Sequence, residues 1–157
     1  MPHKPSPGHL TGPVLVSACL LGMPCRYDGQ SKHCPGIEQI PGIIPIPVCP
    51  EQMGGLPTPR SPAFFVGGDG RAVISGHARV MDAQGREVTD SFLRGAWCVA
   101  CVAELLGVTW AIFKDNSPSC GTKKTYQEGA LTSGMGVTAA LLHGKGISLM
   151  NEQGEVL

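Results

Sequence analysis

Three apolar runs in this chain each stop at a cysteine. VLVSAC ends at Cys19, IIPIPVC at Cys49 and TWAIFKDNSPSC at Cys120, each leading into a loop rich in Gly and Pro. Apolar runs without alternation suit strands covered on both faces, the pattern of a parallel sheet flanked by helices. A fourth run, GISLM, adds a strand near the C-terminus. Between them, residues 88–107 predict a helix, because Phe92, Ala96, Val99 or Ala100, Ala103 and Leu106 recur at helical spacing. Thr89 or Asp90 is placed to cap it and Gly107 to end it. A shorter helix is expected over Gly136 to His143, and the alternating stretch 72–89, with Gln84-Gly85 at its turn, reads as a hairpin at the sheet's edge. The expected fold is therefore α/β: a compact, Rossmann-like three-layer domain with a mainly parallel sheet and a hairpin. It occupies residues 14–157 behind a flexible tail, residues 1–13.

Open α/β sheets bind ligands in the crevice beyond the carboxyl ends of their strands. Cys19, Cys49 and Cys120, distant in sequence, become neighbours there, as a metal or cluster site assembled by a folded sheet requires. Pro50 holds the preceding peptide extended and presents Glu51 to the same cavity. Pro118 is flanked by Ser117 and Ser119, whose hydroxyls can act on a ligand or cap a turn. After Cys19, the stretch LLGMPCRYDG supplies Arg26, Tyr27 and Asp28.

Composition narrows the partners. Only 15% of the 157 residues are charged, with 22 Gly and 14 Pro, so much of the chain is built loop. Lys plus Arg equals Asp plus Glu at 12 each, which is not the footprint of a duplex-binding protein. No stretch approaches the roughly 20 apolar residues of a membrane span, and the first residues lack the apolar core of a secretory signal. The expected setting is cytoplasmic, where seven cysteines stay reduced.

Three thiolates with a vacant fourth position serve zinc or an iron–sulfur cluster, and all-sulfur ligation leans toward iron and sulfur. His33, beside Cys34, either completes a zinc site or belongs to a polar loop. Cys98 and Cys101 form a Cys-x-x-Cys within the long helix, where core packing is expected and a redox or second metal role is the alternative. Cys25 and Cys34 lie in loops near the cavity and receive no ligand role. Arg26, Arg60, Lys114, Lys123 and Lys124 surround the cysteine segments, suited to an anionic substrate or to the charge of a thiolate-bound cluster. Arg60 is read as structural or substrate-facing.

The ordered segments VSACLLGMPCRYDG, CPEQMGGLPTPR, EVTDSFLRGA, KDNSPSCG and GMGVTAALL, spread from Val14 to Glu152, resemble the landmarks of the thiouracil desulfidase (TudS-like) family, formerly domain of unknown function 523. The resemblance implies a 4Fe-4S cluster held by three cysteines with one open iron. It also implies removal of sulfur from 2-thiouracil and related thiolated bases or nucleosides, giving the oxo base and hydrogen sulfide without net redox. By the same resemblance, Cys19, Cys49 and Cys120 are the cluster ligands, Glu51 the catalytic glutamate and Ser117 the important serine. One departure is RSPAFF, where relatives commonly read Pro-Ala-Glu: Phe64 and Phe65 replace an acidic group, with core packing as their expected role and base stacking as the other. Two other classes remain open from the residues: a zinc-stabilised binding module and a thiol redox protein using Cys98 and Cys101.

Overall fold

The computed structural model describes residues 10–157. β1 (Gly12–Ser17), β2 (Ile43–Val48), β5 (Trp110–Phe113) and β8 (Ser148–Asn151) form a wholly parallel sheet in the order β2-β1-β5-β8. β1 lies at its centre, and Val14, Leu15, Val16 and Ser17 are all buried. The chain leaves β1 toward β2 on one side and later places β5 on the other, so the order reverses between β1 and β5. That is the position at which open α/β sheets form a ligand crevice.

β2 departs from the expectation of strands buried on both faces. Ile44 is 60% exposed. Pro45 and Pro47 explain its edge position: prolines two apart lack their N–H groups on the same side, and only an edge strand tolerates that.

Helices α4 (Thr89–Leu106) and α5 (Val137–Gly144) pack together over one face of this sheet, around Leu15, Val99, Phe113, Leu142 and Leu149. The opposite face is closed by a second cluster containing Val14, Val16, Leu20, Ile37 and Ile112, with the short helix α1 (Pro35–Glu38) beneath it. α4 matches the expected helix in extent, and Gly107 ends it in the left-handed conformation with φ 65°. Its start differs: Val88 is the capping position without a side-chain bond, and the Thr89 hydroxyl instead accepts the Val80 amide at 2.9 Å. Leu106, expected on the buried face, is 44% exposed in the last turn of the helix.

The expected edge hairpin is replaced by a second sheet, β4-β3-β6-β7. β3 (Ala63–Val66) pairs antiparallel with β4 (Arg79–Asp82), and β6 (Lys124–Gln127) with β7 (Ala130–Ser133). Asp69 accepts the Arg71 and Ala72 amides and so caps a short helix, α3 (Gly70–Ile74), inside the stretch read as alternating. The Gln84-Gly85 turn is present but closes on a single bridge, Met81 to Glu87. Of the tail expected over residues 1–13, residues 1–9 lie outside the described residues, while Leu10 is buried and Gly12 and Pro13 already belong to β1. No helix among the described residues is long and apolar enough to cross a membrane.

Candidate active site

A cleft of about 390 Å³ opens beyond the carboxyl ends of β1, β2 and β5, at the switch point of the sheet. Cys19, Cys49, Cys120, Glu51 and Ser117 all line it. Cys19 sits in a short 3₁₀ turn (Ala18–Leu21) directly after β1. Cys49 directly follows β2 and opens α2 (Pro50–Met53), whose first residue is Pro50 and whose second is Glu51. α2 docks on α4 through two glycines: a Cβ on Gly54 would lie 2.0 Å from the Ser91 carbonyl, and one on Gly95 would lie 1.9 Å from the Pro50 carbonyl. Nothing larger than hydrogen fits there, which fixes how far Glu51 reaches into the cleft.

Cys120 arrives by a different route, on a loop that leaves β5 and is tied down by its own polar groups. The Asp115 carboxylate accepts the amides of Asn116, Thr122, Lys123 and Lys124 at 3.0–3.2 Å. Burial pushes its pKa up, but the amides of Lys123, Lys124 and Asn116 outweigh that and hold it below the usual value. The first amides of α5 point at the same loop: Val137 donates to the Pro118 carbonyl and Thr138 to that of Ser119, both at 2.9 Å. Those donors have no partner within the helix, so the loop and the helix end satisfy one another.

Glu51 is held from both sides. Arg60 Nε donates to Oε1 at 3.0 Å and the Ser119 hydroxyl to Oε2 at 3.0 Å. The ion pair is nearly dry, with side-chain exposures of 6% and 13%. Arg60 also donates to the Cys25 carbonyl at 2.9 Å, the Thr58 hydroxyl at 3.0 Å and the Pro57 carbonyl at 3.2 Å. It therefore welds the Glu51 helix to the Cys25 loop. Ser117 plays the local role that its position beside Pro118 allowed: its Oγ accepts the amides of Cys120 at 3.0 Å and Ser119 at 3.2 Å.

Two residues matter more than the sequence suggested. Ser119, only 2% exposed, is the serine that touches Glu51. Cys25 is buried and lines the cleft, and its carbonyl accepts the Cys49 Sγ at 3.7 Å. Its presence in the segment following Cys19 was visible, but nothing in its spacing told that the loop folds back over Cys19. Gly22, at φ 93°, makes that return, and the Lys32 amide reaches the Cys19 carbonyl at 2.9 Å.

Other candidates fall elsewhere. His33 pairs with Glu38 at 2.6 Å and does not line the cleft. Phe65 is fully buried, Phe64 half-buried, and neither lines the cleft. Cys101 is exposed and Cys98 half-buried, which corrects the expectation that the pair packs in the core. Lys123 pairs with Glu155 at 2.6 Å and lies outside the cleft. Lys114, which does line it, is paired with Glu152 at 3.0 Å, whereas Arg26 and Lys32 line its wall and Tyr27 and Tyr126 its exposed rim.

The surroundings raise the pKa of three cleft thiols, Cys25, Cys49 and Cys120. The hydrogen bond with Cys19, then burial, raises the Cys25 pKa against the lowering effect of Cys49. A hydrogen bond to Cys25, then burial, raises that of Cys49, and burial pushes Cys120 up to about 12. Bound metal deprotonates such ligands outright. Among the described residues, no three Cys, His, Asp or Glu side chains converge as ligands of one ion. Zinc gathers its thiolates at about 2.3 Å around a point. Cys19, Cys25, Cys49 and Cys120 all line the cleft.

Fold and cleft together define an α/β protein with a cysteine-lined cleft at the switch point of its parallel sheet. Comparison with known proteins gives the family. The model of the 2-thiouracil desulfurase family matches residues 14–154, and the chain belongs to that family. It is 38% identical over 143 residues to the uncharacterised protein YbbK of Bacillus subtilis strain 168, covering 88% of this chain and 95% of that one. A solved structure titled as the 4Fe-4S-dependent thiouracil desulfidase TudS superposes with a TM-score of 0.75 at 38% identity, covering 91% of this chain and 92% of that one.

Proposed function

We propose that this chain is an iron–sulfur-dependent desulfidase that converts thiolated nucleobases such as 2-thiouracil to the oxo base and hydrogen sulfide, with no net redox change. One observation carries the reading: three thiols, two directly after strands and one on the loop that follows β5, share a cleft with a carboxylate fixed by an arginine and a serine. Cys19, Cys49 and Cys120 would hold a 4Fe-4S cluster, leaving one iron without a protein thiolate. The bound cluster supplies a soft Lewis acid for the thiocarbonyl sulfur.

The remaining chemistry belongs to the chain. Glu51 moves protons, to the ring nitrogen and from the water that replaces sulfur. Ser117 positions that water or the base at the cleft wall. Arg60 keeps the Glu51 carboxylate from rotating away, which is worth rate because catalysis depends on the reacting groups being held in register. Tyr27 and Tyr126 offer flat surfaces for a small base or nucleoside at the rim. Residues 14–157 act as one desulfidase domain.

The test is anaerobic reconstitution with iron and sulfide, followed by the loss of 2-thiouracil and the appearance of sulfide. About four irons per chain together with turnover are expected. Replacing Cys19, Cys49 or Cys120 by Ser, one at a time, is expected to lose both. One zinc per chain, no cluster and no turnover would assign the thiols to structure alone.

A further inference from the structure

Four cations line the cleft, and they differ in what they have left to give. Arg60 is spent: it already donates to Glu51, Pro57, Thr58 and Cys25, which takes four of its five N–H groups. Arg26 faces Asp28 at 3.8 Å, and its Nη1 is buried where water does not reach it, so a ligand does not reach it either. Lys32 is exposed, and its ammonium stays in water. Lys114 is different. Its backbone amide donates to Ser17 Oγ at 2.9 Å, which seats it where β5 runs beside β1 at the switch point. Its ammonium donates to Glu152 Oε1 at 3.0 Å and to the Asp115 carbonyl at 2.9 Å. Glu152 is itself held, because its other oxygen accepts the Asp115 amide at 2.8 Å. A lysine ammonium has three protons and accepts nothing. Two are committed here, and the third belongs to a side chain that is 21% exposed and lines the cleft.

From this arrangement we propose that Lys114 determines which base the cleft accepts: it gives its third proton to an exocyclic oxygen of the base, so the site takes thiolated bases that carry an oxo group and rejects those that carry an amino group. Glu152 is its positioning residue. The proposal rests on the desulfidase reading for the sulfur chemistry and on the contacts of Lys114 for the choice of base. The physical reason is one of sign. The oxygen at ring carbon 4 of 2-thiouracil accepts a hydrogen bond, and from a fixed ammonium that bond is charge-assisted. The amino group at the same position in 2-thiocytosine presents donors, so donor faces donor and the ammonium is left without an acceptor. A site built to hydrogen-bond one group rejects an analogue lacking it far more strongly than an apolar pocket rejects a change in size. Lys114 makes and breaks no covalent bond, so replacing it acts on the choice of base.

The experiment compares the reconstituted full-length protein with Lys114→Gln and Glu152→Gln, giving each preparation 2-thiouracil and 2-thiocytosine in turn. The ratio of the two kcat/KM values does not depend on how much of the protein is folded or loaded with iron, so a purely structural loss leaves it unmoved. The wild-type protein is expected to prefer 2-thiouracil by about 1,000-fold and Lys114→Gln by less than about 10-fold, because a glutamine amide turns either its oxygen or its nitrogen to the base. Glu152→Gln keeps an acceptor for the Asp115 amide while releasing the ammonium, and its ratio is expected to fall between those two. Wild-type selectivity in Lys114→Gln, or a wild-type protein that turns over both bases equally well, would overturn the proposal. A second readout needs no turnover: calorimetric titration of the wild-type protein is expected to show uracil bound about 100-fold more tightly than cytosine, with the gap closed in Lys114→Gln. Equal binding, binding of neither base, or a gap that survives in Lys114→Gln overturns the proposal. A Lys114-dependent gap in a protein inert toward 2-thiouracil upholds it and counts against the desulfidase reading alone.

Discussion

Cys49 and Cys120 reach the same cleft by opposite constructions. Cys49 is where β2 ends and α2 begins, so backbone geometry places it and a glycine contact with α4 seats it. Cys120 stands well beyond the end of β5, on a loop whose shape is set by Asp115, Ser117 and the first turn of α5. The first half of the site is positioned by packing, the second by hydrogen bonds. Packing resists small changes in pH and salt but tolerates no added volume, whereas a hydrogen-bonded loop tolerates volume better and depends on the charge of its acceptor.

Gly95→Ala strikes the packed half and is expected to have the largest effect. Its new methyl meets the Pro50 carbonyl, and overpacking of this kind costs about 1–3 kcal/mol or more. Thermal unfolding should show the loss, and iron content should fall because α2 can no longer seat Cys49.

Asp115→Ala strikes the hydrogen-bonded half. It leaves four amides without their acceptor, with an expected cost of about 1–3 kcal/mol. The same carboxylate gives the comparison a pH signature. Its folded pKa lies below its unfolded value, so its contribution is complete above the unfolded pKa of about 3.9 and is lost as pH falls through the lower folded value. Unfolding measured from neutral to acid pH should lose part of its acid slope in Asp115→Asn, while Gly95→Ala should lower the whole curve without changing its shape.

Lys123→Ala is expected to do least. Its pair with Glu155 is more than one-third exposed on both sides, and water screens such pairs until they contribute little. A Tm shift as large as that of Asp115→Ala would show that the loop depends on its surface charges after all.

The same contrast explains what could be read from the sequence. Elements whose position follows from backbone continuity were legible: the four parallel strands, α4, α5 and the arrival of Cys19 and Cys49 at strand ends. Ser117, Glu51 and Cys120 were correctly expected in the same cavity. Contacts made by chain return were not legible. Cys25 comes back over Cys19, and Ser119 rather than Ser117 meets Glu51, because which of two serines around a proline faces inward depends on a loop shaped by distant partners. The second sheet was missed for a related reason: β3 meets β6 through a single parallel pairing, Phe65 with Gln127, across a long stretch of chain. Apolar continuity in β2 overstated its burial, since Pro45 and Pro47 had already marked it as an edge.

The most direct test of the central claim is an anaerobic comparison of Glu51→Gln with the wild-type protein after reconstitution, following cluster absorption, iron content and sulfide release from 2-thiouracil together. Glutamine keeps the size of the side chain and removes its ability to take a proton. The expected result is an unchanged cluster with sulfide release reduced by about 100- to 10,000-fold. Sulfide release at the wild-type rate would contradict the account, because the carboxylate would then have no part in the chemistry of the cleft.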